Sequence, residues 1–279
     1  KVLMVGTGSG AFAVTAATDN GALTPGSFKV TPVSARASAR IPPMRVGSLL
    51  HYVQLGQRKV RELAFDFATD KYKSPNLFQL AEHLTESFYV TEAKYAGEPD
   101  SIEHLIRSDG TFLALVYQEE ENVMGWARYT TAGKFKSHAI IPRSSTGKDW
   151  IWVIVSRETG DFVEYFEPSH AGTNREWNSV QTDSAVFVIH DADFLVTLPD
   201  DHLDGQTVRV IGDGMLFEDA TIVNKTFTLN PQIPVGMIEV GLNYDSVGLT
   251  LEPIIPGDAG GPFIARGYTQ IGARVRRSL

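Results

Sequence analysis

The chain of 279 residues contains no cysteine. That excludes disulfides, thiolate metal sites and cysteine nucleophiles, and it fits folding in a reducing compartment. No apolar run approaches the ~20 residues that a membrane-spanning helix requires. No stretch is strongly basic, and the net charge is −8. A protein that grips nucleic acid by its phosphates carries the opposite sign. A G-x-S-x-G nucleophile elbow is missing. The seven histidines, at 51, 83, 104, 138, 170, 190 and 202, include no pair at the helical i, i+4 spacing of a zinc site. These absences predict no cofactor and no metal, and they leave open a pair of carboxylates facing each other across a groove.

What is present is an ordinary globular composition, 43% hydrophobic and 21% charged, with 25 Gly and 14 Pro that suit many tight turns. Four segments share one pattern: an alternating apolar strand, a Gly-containing turn and a second alternating strand. They are Val2–Val5 with Phe12–Val14, Leu49–Val53 with Val60–Phe65, Ile102–Arg107 with Phe112–Tyr117, and Ile151–Val155 with Phe162–Phe166. Asp109-Gly110 between two such runs is a strong hairpin signal. The turn glycines at 10, 56, 110 and 160 recur about every 50 residues, a spacing expected of propeller blades. Two further strand patterns, Val123–Tyr129 and Phe135–Ile141, meet at Ala132-Gly133 and complete a four-strand unit the size of one blade. One helix is predicted. Ser74 caps it, Pro75 sits in its first turn, and Leu77, Leu80, Ala81, Leu84 and Phe88 share a face.

Residues 29–47 and 168–184 read as linkers. The fold expected is mainly β: propeller-like β-hairpin blades over 1–168, a linker over 169–189, an inserted small β-barrel or sandwich domain over 190–256, and a return strand over 257–279. The opening Lys1–Val5 and closing Arg274–Leu279 both read as the middle of a strand, which predicts an internal piece of a longer polypeptide.

Several local patterns resemble chemistry. Val5-Gly6-Thr7-Gly8-Ser9-Gly10-Ala11 matches the dinucleotide fingerprint, but cradling pyrophosphate needs a helix next, and Phe12-Ala13-Val14-Thr15 is strand-like. Ser144–Asp149 superficially resembles a phosphate loop, with Asp149 where a hydroxyl should meet magnesium; it predicts a turn. Glu82-His83 and Glu103-His104 are sequence neighbours, which point to opposite faces when they lie on a strand. Asp200-Asp201 and Glu119-Glu120-Glu121 predict solvated turns. Trp126, Trp150, Trp152 and Trp177 suit blade-core packing, or sugar stacking on a binding face.

The residues also carry a resemblance. Pro43–Gly47, Tyr52-Val53-Gln54, Arg58–Leu63, Leu80–Leu84, Glu98–Ile102 and Arg107–Phe112 run in an order similar to phage tail structural proteins. Gly125-Trp126, the Gly133 hairpin, Trp152-Val153 and Tyr165-Phe166-Glu167 continue it. His202–Gly205, Val208, Asp213-Gly214 and Val240–Tyr244 resemble the small β domain named after a half-domain of ubiquitin-activating enzymes. The resemblance spans about residues 40–250. It departs at Asn243, where proline is expected, and over 170–195. It implies a virion protein assembled in the host bacterial cytoplasm, similar to the nozzle of short-tailed phages. That implies a homo-oligomeric ring of six subunits that contacts a tail adaptor ring and tail fibres. Genomic DNA would pass its lumen without specific binding, and no residue would be catalytic. The rival expectations are a receptor- or glycan-binding module of the tail, and a tail hydrolase using surface carboxylates.

Overall fold

The structure, a computed structural model, describes residues 2–18, 21–121, 123–143, 147–166, 180–189 and 194–248. The chain divides into two units, Lys1–Tyr244 and Asp245–Leu279. The expected return strand, 257–279, lies outside the described residues.

The protein is mainly β, built from several small antiparallel sheets. The first sheet is a three-strand meander, β1 (Leu3–Thr7), β2 (Gly10–Ala16) and β3 (Phe28–Ser34). The second has four strands in chain order, β4 (Met44–Val46), β5 (Leu49–Val53), β6 (Val60–Asp66) and β7 (Lys71–Lys73). The third repeats that plan with β8 (Val90–Ala96), β9 (Ile102–Arg107), β10 (Phe112–Gln118) and β11 (Val123–Tyr129). The fourth comprises β12 (Lys134–Arg143), β13 (Lys148–Arg157) and β14 (Gly160–Phe166). All four predicted hairpins form. The strand patterns on either side of Ala132-Gly133 do not pair with each other, however. β11 pairs β10 and β12 pairs β13, so the connection passes from one sheet to the next.

These four sheets pack face to face in series. Ala11, Tyr52 and Leu63 join the first to the second. Val53, Val60, Leu105, Leu113 and Leu115 join the second to the third. Ile106, Phe112, Phe135, Val153 and Val155 join the third to the fourth. The alternation of side chains along a strand explains how one sheet serves two neighbours. On β9, Leu105 faces the second sheet and Ile106 the fourth; on β10, Leu113 and Phe112 divide in the same way. Each such large apolar side chain contributes about 1.5–3 kcal/mol on full burial.

A fifth core, around Val208, Val210, Ile222, Ile238 and Val240, organises the rest. Its sheet runs β15 (Asp183–Ile189), β21 (Met237–Leu242), β17 (Thr207–Gly212) and β18 (Met215–Leu216), with β19 (Ala220–Thr221) also on β17. A separate pair joins β16 (Leu195–Thr197) to β20 (Thr226–Thr228). Residues 183–189, counted as linker in the sequence expectation, are a strand because they pair with β21. Among the described residues every sheet stays separate and none closes on itself.

The predicted helix over 74–88 does not form. The segment makes turns and one 3-10 turn, Glu82–Leu84. Its backbone seals the edge of β6 instead: Pro75 O accepts from Glu62 N, and Leu77 N donates to Val60 O. The Asn76 side chain accepts from Phe78 N at 3.2 Å, fixing a turn. Leu77, Ala81 and Leu84 are buried as expected, whereas Leu80 is 78% exposed.

Candidate functional site

The chemistry-bearing side chains collect in buried polar seams between successive sheets. The first lies between the second and third. His51 on β5 stands opposite Glu62 on β6 in register. Its ring Nδ1 lies 2.5 Å from Glu103 Oε1 of β9, and its Nε2 lies 3.6 Å from Glu62 Oε2. The Tyr117 hydroxyl donates to Glu62 Oε2, and its ring meets the His51 ring edge-on at 5.0 Å. His51 and Glu103 are fully buried. Burial pulls the imidazole pKa down, but the Glu103 and Glu62 carboxylates outweigh it and hold it at about 9. The bond to His51 in turn keeps the Glu62 carboxyl below its usual range. The Tyr117 phenol is pushed up, chiefly by burial and then by its bond to Glu62.

The second seam lies between the third and fourth sheets. His138 on β12 places Nδ1 3.1 Å from Glu92 Oε2 of β8, and its backbone N donates to the same oxygen at 2.9 Å. Lys94 Nζ donates to Glu92 Oε1 at 2.6 Å and to the His138 carbonyl. His104 on β9 stacks on Phe112 at 5.3 Å, and His138 meets Phe112 edge-on at 5.4 Å. Neither ring nitrogen of His104 has a hydrogen-bond partner among the described residues. Burial, helped by the charge of His138, lowers the His104 pKa to about 3. Burial also lowers His138 to about 4, with Glu92 opposing and Lys94 assisting. Both rings are therefore neutral at neutral pH. As expected for strand neighbours, Glu103 turns to one seam and His104 to the other.

A third seam ties the fourth sheet to the fifth core. Arg157 holds Glu164 through two bonds of 2.8 Å and donates to Thr131 Oγ1 at 3.0 Å. Thr131 then donates to Asp183 Oδ2 of β15 at 2.6 Å. Such bidentate, charge-assisted contacts fix geometry as well as adding energy.

The motifs singled out in the sequence fall elsewhere. The Gly6–Ala11 fingerprint is the β1–β2 hairpin, with Thr7 opposite Gly10 across a two-residue loop. Thr7 Oγ1 donates to Gly10 O at 2.9 Å and accepts from Gly10 N, so the turn satisfies itself. A side chain at Gly10 would put its Cβ 2.4 Å from Ser34 O, so this glycine is needed for β3 to approach. Residues 144–146, His170, His190 and Trp177 lie outside the described residues. His83 and residues 119–121 are exposed, and Asp200 pairs with His202. Trp126 belongs to the core, where it stacks on Phe78 at 4.0 Å and donates to Leu77 O at 3.0 Å. Trp150 and Trp152 are half-buried. They share the outer face of the fourth sheet with Tyr165, ring centroids 5.0–6.0 Å apart.

Sequence spacing did not reveal the first two seams, because the bonds that cross from sheet to sheet there join residues 44 to 55 apart. The available signal was polarity inside strand cores: His51 in Leu-Leu-His-Tyr-Val, and Glu103-His104 in Ile-Glu-His-Leu-Ile-Arg. Among the described residues no group of three or more His, Asp and Glu side chains could hold a metal ion, and no helix is long and apolar enough to cross a membrane. No protein-family model and no curated protein matches the sequence.

Proposed function

We propose that this chain is a structural protein of a phage tail virion, part of a nozzle-like ring that closes the tail and guides DNA ejection. The observation that carries this reading is the serial stacking of four antiparallel meanders, each tied to the next by apolar packing. On this reading each meander is a propeller-like blade, and the fifth core is the small β-barrel domain. Three histidines with strongly shifted titration, His51, His104 and His138, are buried between sheets. A net charge of −8 would repel DNA phosphates and let the genome slide past. The subunits would form a homo-oligomeric ring of six, bounded by a tail adaptor ring and by fibres.

Immunogold labelling of phage particles with antibodies raised against the chain tests the reading. Label at the distal end of the tail is expected. Label confined to peripheral spikes, or absent from particles, would overturn it.

The stack of Trp150, Trp152 and Tyr165 favours one second reading, a glycan-binding module of the tail. Oligosaccharide-dependent quenching of tryptophan fluorescence would move the assignment there.

A further inference from the structure

His104 and His138 are buried at one interface, between the third and fourth sheets, and both rings touch Phe112. The charged groups that face them come from β8. Lys94 stands opposite His104 in register, and Glu92 bonds His138. β11 adds the Tyr129 ring, 6.3 Å from Phe112. β10, β13 and β14 present apolar side chains there: Phe112, Val153 opposite His138, and Phe166 stacked on Phe112. Glu92 already accepts from Lys94 and from the His138 backbone. A proton on the His104 ring would therefore be buried without a counterion, beside Lys94 and His138, and a buried charge of that kind is costly.

The interface between the second and third sheets is built the other way. His51 there is already charged and held between Glu103 and Glu62, so acid adds no charge to that ring. Between the third and fourth sheets burial keeps the rings at about 3 and 4, against about 6.5 once exposed. The apolar packing at this interface is Ile106 and Phe112 against Phe135, Val153 and Val155. The fourth sheet has a second attachment, to the fifth core through Arg157, Thr131 and Asp183, with no histidine in it.

We propose that the interface between the third and fourth sheets is an acid-operated latch. His104 and His138 take up protons together by undocking the fourth sheet, which stays attached to the fifth core while the first three sheets remain packed. Buried histidines that charge on acidification switch an interface in this way, and one unit can open while the rest of a fold persists.

The chain has no cysteine, so one introduced thiol reports on each interface. V153C places it between the third and fourth sheets, and V60C between the second and third. Labelling of the full chain by dithiodipyridine is measured at pH 7 and pH 4.5, relative to a free thiol at the same pH. Far-UV circular dichroism records the fold. Acid should speed V153C labelling by about a thousandfold, leave V60C at least ~tenfold slower than V153C, and leave the dichroism native. H104F should slow V153C labelling at pH 4.5 by about fiftyfold. If V153C or H104F fails to fold at pH 7, V155C or H104Q replaces it. Acceleration of V60C in step with V153C would overturn the latch, because the chain would then be unfolding as a whole. Labelling unchanged by H104F would overturn it too.

Discussion

At residue 51 an imidazole is enclosed with two carboxylates and a phenol and has no access to water. Removing one member of a buried ion pair strands the other, at about 3–5 kcal/mol, whereas replacing both by apolar groups is often close to neutral. H51L should therefore destabilise by about that amount in urea unfolding, and H51L/E103L should recover most of the loss. A single-variant loss near zero would show that Glu103 finds another partner.

His51, His104 and His138, all buried, give stability two opposing pH dependences. His104 and His138 have folded pKa values of about 3 and 4, below the ordinary 6.5. The unfolded chain gains protons first as pH falls, so their contribution is lost from about pH 6.5 down towards 4, by up to about 1.4 kcal/mol per group per pH unit. The depressed Glu62 and Glu92 carboxyls add a loss of the same sign below their ordinary range. His51 has the reverse sign. Its folded value of about 9 lies above 6.5, so its contribution is complete below pH 6.5 and is lost as pH rises through 9. The account predicts a thermal midpoint highest near pH 6.5. H104F should flatten the acid limb and leave the alkaline limb. A wild-type profile flat from pH 4 to 9 would contradict both assignments.

At the scale of elements, the β9–β10 turn shows why the hairpins were legible. Gly110 adopts φ +87°, a conformation that side chains resist. A Cβ there would also lie 2.5 Å from Lys134 Cβ. Gly110 O accepts from Phe135 N, so this turn also anchors the start of the fourth sheet. G110A should cost about 1–2 kcal/mol, and a neutral result in thermal unfolding would contradict the strained turn. Asp109-Gly110 announces all this locally. The segment 74–88 does the opposite. Its apolar spacing fits a helix, yet β7 pairs only with Ala64–Asp66 of β6, and Pro75 and Leu77 supply the backbone groups that seal β6 at Glu62 and Val60. A tertiary demand overrode a local pattern. Strand β8 escaped notice for a related reason: a register shift between Val90 and Glu92 breaks the period of two that marks a strand. The shift between Asp183 and Val186 hides β15 similarly.

At the scale of the whole molecule, the regular return of turn glycines pointed to repeated small sheets, and four meanders in series are present. Which sheets share a seam was not legible, because pairing of His51 with Glu103 or His138 with Glu92 depends on packing between sheets rather than on spacing along the chain. The central claim, that the chain is a ring-forming tail component, is tested most directly by single-particle electron microscopy of the purified protein. Closed rings of uniform subunit number around an open lumen are the predicted result. A monodisperse monomer under the same conditions would contradict it.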